Sequence, residues 1–141
     1  YQDAPEYPPQ DGGSGLSGGS IEFLGARGHD ELLELLPTYA GLVFPSMFAE
    51  GLPTIYLESL AAGLPVVARA GNSAADDVAE HGTGVVVQEV DGLARAVAAV
   101  MSEHDRYAAT ANARFAEAYS EAAWVAGAQR VYADAIEARR A

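Results

Sequence analysis

Residues 44–69 read FPSMFAEGLPTIYLESLAAGLPVVAR, and the order of signals in this stretch decides the fold. It opens inside a short apolar run, Leu42-Val43-Phe44, that stops at Pro45, as a strand does where the next residue cannot extend the ladder. A loop then delivers Glu50. Pro53 suits the first turn of a helix, where its missing N–H costs nothing. Thr54 and Ile55 follow with backbone N–H groups at the positive end of the helix dipole, an arrangement that binds anions. Glu58 lies one turn further in, within reach of a ligand held at that terminus. Gly63 supplies a left-handed stop, Pro65 comes just after it, and Pro65-Val66-Val67-Ala68 reads as the next strand. Strand, acidic loop, helix and strand in that order predict an anion-binding corner of a parallel sheet.

Outward from this corner the alternation continues. Short β-branched or aromatic runs bounded by turn signals predict strands at 21–24, 42–45, 65–68 and 84–88. Helices are predicted at 29–39, 53–62 and 73–80; Gly71-Asn72-Ser73, ahead of the last, reads as a helix cap, with the cleft-facing reading beside it. Asp91 is expected to cap a helix with Leu93, Val97, Val100 and Met101 on one face. Another helix is expected at 104–118. Ser120 caps the last, whose Trp124, Ala128, Val131, Tyr132 and Ala135 form an apolar stripe, with Trp124 expected in the core. Strands joined by crossover helices pair in parallel, so the fold class is α/β, a Rossmann-like doubly wound sheet. Residues 1–20 form a separate Pro/Gly/Ser-rich block, a solvated loop or a linker, ahead of one domain at 21–141. Its Gly run lacks the Lys and the flanking strand of a P-loop.

Composition narrows the function. A chain of 141 residues, half of them hydrophobic, carries a core of its own. Its formal net charge is −12, from 20 acidic against 8 basic residues. All the basic residues are Arg, and no Lys occurs. Such a surface repels nucleic-acid backbones and anionic lipids, so neither is an expected partner. No Cys is present, which removes thiol chemistry. No apolar run approaches membrane-spanning length, and Tyr1 opens on polar residues unlike a signal peptide, so a cytoplasmic chain is expected. His29, His81 and His104 read as isolated surface residues without acidic partners at ligand spacing, and no metal site is expected. The chain does not open on Met, and we expect it to be a piece of a longer protein.

Glu50-Gly51-Leu52-Pro53, followed by Glu58 and by Ala62-Gly63-Leu64-Pro65-Val66-Val67, resembles the donor-sugar signature of retaining group 1, or family 4, glycosyltransferases of the GT-B fold. Two Glu at this spacing mean little alone; the whole string is specific. Ile21-Glu22-Phe23-Leu24-Gly25 ahead of it and Gly82-Thr83-Gly84-Val85-Val86-Val87 behind it fall where such enzymes carry strands, so the resemblance covers about residues 21–140.

The resemblance implies the C-terminal, donor-binding lobe of an enzyme that moves a hexose from a nucleotide sugar to an acceptor hydroxyl with retention. It implies that Glu58 accepts hydrogen bonds from the ribose hydroxyls, a pairing that the two oxygens of a carboxylate suit. The plainer reading of Glu58 is a solvated helix acid. The resemblance further implies that Glu50 contacts the hexose beside the bond that breaks, against a plain loop acid paired with an Arg. Gly51, Leu52, Pro53, Thr54 and Ile55 would hold the diphosphate at the helix start, with Thr54 otherwise a simple cap. Gly25, Ala26 and Arg27 match the loop around the nucleobase, and Arg27 is read equally as a base contact or as a solvated loop charge. Such enzymes generally need no metal or cofactor beyond the donor.

The family's acceptor lobe and its basic Arg/Lys pair have no counterpart in these residues, so the isolated chain is expected to be an incomplete catalyst. The acceptor, the base and the sugar are left open. Two other readings stand beside this one: a sugar-nucleotide epimerase of the same shape, which would lack the Glu-Gly-Leu-Pro string, and a non-catalytic nucleotide-sugar-binding or scaffold lobe. In the strand order 3-2-1-4-5-6, strand 42–45 would be the fourth and would show an unpaired edge. We expect that edge to be closed between molecules, by a second copy or by the rest of the protein.

Overall fold

The computed structural model describes residues 22, 24–49 and 51–140. Three parallel strands form the sheet: β1 (Leu42–Phe44), β2 (Val66–Arg69) and β3 (Gly84–Val87), in the spatial order β1-β2-β3. Val66 stands opposite Leu42 on one side and Gly84 on the other, so β2 is paired along both edges. The predicted strands match these within a residue at each end. Of the strand expected at 21–24, Ile21 and Phe23 lie outside the described residues, and Glu22 and Leu24 belong to no strand. The 1–20 block also lies outside them.

Six helices accompany the sheet among the described residues. They are α1 (His29–Leu35), continued by a 3-10 turn at Leu36–Thr38, α2 (Thr54–Ala61), α3 (Ser73–His81), α4 (Leu93–Ser102), α5 (His104–Arg114) and α6 (Glu121–Ala138). Each start has a local cause. Pro53 sits at the cap of α2 rather than in its first turn, with an extended backbone, and its carbonyl accepts from the N–H groups of Tyr56 and Leu57. Asn72 caps α3 and Ser120 caps α6, both as the sequence predicts. Asp91 makes no such cap; it lies in a 3-10 turn at Val90–Gly92 that leads into α4. Gly63 and Gly82 take positive φ at the ends of α2 and α3, where a left-handed residue closes the helix. The helix expected at 104–118 ends early, at Arg114, and passes into a π-helical turn over Phe115–Tyr119, closed by the Ser120 N–H on the Phe115 carbonyl.

The helices pack the sheet on both faces, as a doubly wound fold requires. On one face Tyr56 and Leu60 of α2, Ala74, Ala75 and Val78 of α3 and Ala111 of α5 cover Val66 and Ala68. On the other, Ala96 and Val100 of α4 and Tyr107 of α5 cover Val67 and Val87. Helix α6 joins neither core. Trp124, expected inside, is 71% exposed, and Val131, Tyr132 and Ile136 on the same helix are exposed with it. The stripe is real, but no described residue buries it.

Candidate functional site

In a parallel sheet every strand ends on the same rim, and each following helix starts there. The β1–α2 loop, the start of α2 and the loop after β2 therefore converge at the C-terminal end of the sheet. Thr54 and Ile55 open α2, ahead of the first donors of its ladder, so their N–H groups have no intrahelical partner. Gly51, Leu52 and Thr54 are exposed, and a Cβ built on Gly51 would meet no atom within 4 Å. No described residue closes this approach.

Glu58 lies in the second turn of α2 with a side chain only 12% exposed. Its Oε1 stands 3.3 Å from Nδ1 of His29, the first residue of α1. His29 comes directly after Gly25-Ala26-Arg27-Gly28, so the contact brings that loop beside Glu58. The Arg27 guanidinium turns to Glu31 one helical turn on, and Gly25 takes a positive φ. Glu50 lies outside the described residues.

The sequence leaves the histidines without acidic partners; the structure corrects this. Besides the His29–Glu58 pair, Nε2 of His81 is 3.6 Å from Asp77, and Nδ1 of His104 is 3.5 Å from Asp105. The Asp77–His81 relation was legible as an i,i+4 spacing on α3, whereas nothing local announced His29 and Glu58. Among the described residues no cluster of three or more His, Cys, Asp or Glu is placed to hold a metal ion. No helix among them is long and apolar enough to cross a membrane.

Two further residues stand at the rim: Arg69, which the sequence reading passed over, and Asn72, from the segment it read as a cap or as facing the cleft. Arg69, the last residue of β2, donates from Nη2 to Glu89 at 3.1 Å and from Nε to the Gln88 carbonyl at 3.5 Å, and its Nη1 meets the Met47 sulfur. Asn72 is 3% exposed and is more than a cap: its Nδ2 reaches the Ser46 and Arg69 carbonyls at 2.8 and 2.9 Å.

Beneath the rim a polar network holds α2 in place. The buried Tyr56 hydroxyl donates to Asp77 Oδ2 at 2.6 Å. Asp77 also accepts from Tyr119 at 2.8 Å and from both Nε and Nη2 of Arg114, Nη2 at 2.5 Å. Burial alone would push the Asp77 carboxyl up, but hydrogen bonds from Arg114, Tyr56 and Tyr119, with the Arg114 charge, together hold it below the usual carboxylate range. Burial, and then the hydrogen bond to Asp77, push the Tyr56 phenol far above its ordinary value, so it remains a donor. No buried side-chain N or O atom among the described residues lacks a partner.

Two concavities elsewhere are largely apolar. One of about 530 Å³ lies between β3 and α4, lined by Val85, Val87 and Ala96 among others, and one of about 190 Å³ lies beside β1, between Val43, Pro65 and Met101. Neither includes the residues at the start of α2.

Comparison with known proteins agrees with this architecture. A stretch of 62 residues, 43% of the chain, is 42% identical to a GDP-mannose-dependent alpha-(1-6)-phosphatidylinositol monomannoside mannosyltransferase of Mycobacterium tuberculosis, in strains CDC 1551 / Oshkosh and ATCC 25618 / H37Rv alike. The matched stretch covers 16% of that relative's length. No solved structure matches the chain. Residues 4–103 match the family described as glycosyl transferases group 1, which is most of the chain, and the chain belongs to that family.

Proposed function

We propose that this chain forms part of the donor site, in the C-terminal lobe, of a retaining GT-B glycosyltransferase that moves a hexose from a nucleotide-diphosphate sugar to an acceptor hydroxyl. The observation that carries the reading is the contact of Glu58 with His29, because it sets the proposed ribose ligand beside the loop proposed for the base. In this reading Gly51, Leu52, Pro53, Thr54 and Ile55 frame the diphosphate. The N–H groups of Thr54 and Ile55 at the start of α2 stabilise the charge that grows on it as the bond to the sugar breaks. Glu58 accepts from the ribose diol. Gly25, Ala26 and Arg27 flank the base, with Arg27 steadied by Glu31. Glu50 contacts the hexose and steadies positive charge on it as the bond to the diphosphate breaks, a role that carboxylates also play in glycosidases.

The mannosyltransferase relative makes GDP-mannose the first donor to try, with UDP-glucose beside it. The absence of Lys leaves the diphosphate short of cationic partners here, so the 141 residues alone should bind the donor weakly and not turn it over. In this reading the acceptor site belongs to an N-terminal lobe, and the basic Arg/Lys pair to a further part of the same C-terminal lobe. Isothermal titration of the full-length protein tests the proposal. Glu58→Ala should weaken donor binding by about 1.5–3 kcal/mol, the worth of hydrogen bonds to a charged group. Glu50→Ala should lower turnover more than affinity. EDTA should change neither. Small, equal effects of both substitutions would reduce the two Glu to surface acids, and donor binding abolished by EDTA and restored by Mg²⁺ would show a metal partner.

A further inference from the structure

Asn72 does three things at once. Its Oδ1 accepts the Ala75 N–H at 2.9 Å and so caps α3. Its Nδ2 donates to the carbonyl of Arg69, the end of its own strand, at 2.9 Å, and to the carbonyl of Ser46 at 2.8 Å. The amide orientation is fixed by its surroundings, since one end meets an N–H and the other meets two carbonyl oxygens. A cap needs only the oxygen: Ser, Thr or Asp would serve. The two N–H groups are the part that capping does not explain.

Ser46 stands two residues past β1, at the root of the β1–α2 loop that leads through Glu50 to α2. Beyond it Met47 and Phe48 are strongly exposed, and the Phe48 N–H turns back to the Ser46 hydroxyl at 3.4 Å. Met47 meets the Arg69 guanidinium, which itself reaches to Gln88 and Glu89 after β3. The loop root is thus tied to the end of β2 from two directions, by a buried amide and by the side chain of the strand's last residue. Helix α2 is held separately, through Tyr56 and Asp77.

We propose that Asn72 is a positioning residue for the β1–α2 loop, setting the approach of that loop to the donor hexose while affinity is set by α2 and Glu58. The proposal rests on the donor-site reading above. A loop root freed of its tether leaves Gly51 to Ile55 and Glu58 with α2, but misplaces the loop between Ser46 and Gly51, and misplacement of about 1 Å costs on the order of 100-fold in rate.

The test compares Asn72→Ser and Asn72→Asp in the full-length protein, both keeping a capping oxygen and both losing the two N–H donors. Release of nucleoside diphosphate from GDP-mannose or UDP-glucose gives kcat and KM, titration gives donor affinity, and a melting curve reports the fold. We expect kcat to fall by about 10–100-fold with donor affinity within about threefold of the wild type. Asn72→Asp, which sets a carboxylate against two carbonyls, should be the slower. Wild-type kcat in both variants, with Glu58→Ala still weakening donor binding, would overturn the positioning role and leave the donor site standing. A loss of affinity matching the loss of kcat would overturn it too, since the loop would then act through binding. Should Asn72→Ser unfold, Asn72→Thr gives the same comparison. If Glu58→Ala leaves donor affinity unchanged, the donor-site reading fails and the Asn72 proposal fails with it.

Discussion

Asp77 shows how much one buried side chain carries. It receives Tyr56 from α2, Arg114 from the end of α5 and Tyr119 from the π-helical turn, and it touches His81 on its own helix. Removing it leaves the half-buried Arg114 charge without its carboxylate, so Asp77→Ala should cost about 1.5–3 kcal/mol, read as a lowered Tm. The same network sets an acid limit. Because the folded carboxyl titrates below its ordinary value of 3.8, its contribution is fully present above that pH and is lost as pH falls through the lower, folded value. Stability measured from pH 5 downward should therefore fall steeply in the wild type and less so in Asp77→Asn, whose side chain does not titrate. Equal slopes in the two proteins would remove Asp77 from the acid limit. Apart from the Asp77–His81 spacing, none of this was legible in the sequence, because Asp77 and Arg114 lie on different helices and each reads locally as a solvated charge.

At the scale of elements not every local signal held, since Asp91 caps no helix. The three strands, the caps at Asn72 and Ser120 and the glycine stop at Gly63 do arise from residues adjacent in the chain. The end of α5 did not, since a π-helical turn has no composition of its own, and the apolar stripe of α6 was read with the right spacing but the wrong burial. Periodicity says which face of a helix is apolar; it does not say what covers that face. Of the candidate site, the start of α2 and Glu58 were legible, while the His29 contact and the loop tether at Asn72 depend on tertiary neighbours. Two glycines separate packing from function. A Cβ on Gly84 would stand 1.8 Å from the Val66 carbonyl, inside the strand pairing, so Gly84→Ala should cost about 3 kcal/mol or more. Gly51→Ala meets open space and should change stability by no more than about 0.5 kcal/mol while weakening donor binding. If Gly51→Ala bound the donor as the wild type does, the loop would not approach the diphosphate.

For the molecule as a whole, the exposed outer edge of β1 is the feature that invites company. Val43 is 45% exposed in a strand apolar on both faces, and the apolar hollow between Val43, Pro65 and Met101 lies beside it. Together with the stripe of α6, this edge, which no described residue pairs, presents backbone and apolar surface of the kind that recruits another strand or another copy. We expect the isolated 141 residues to associate, seen as a solution mass above that of one chain in sedimentation at low concentration. A stable monomer would mean that the edge is closed within the chain.

The double pairing of β2 has a consequence for how this molecule comes apart. Val66 and Ala68 face one core and Val67 the other, so the two half-cores share a single strand and neither closes without it. Such a chain has no line along which to split, and loss of either half should carry the other with it in one cooperative step. Methyl signals of Leu60 and of Val100, one from each side of the sheet, should vanish at the same denaturant concentration, and the amides of β2 should be the last to exchange with solvent.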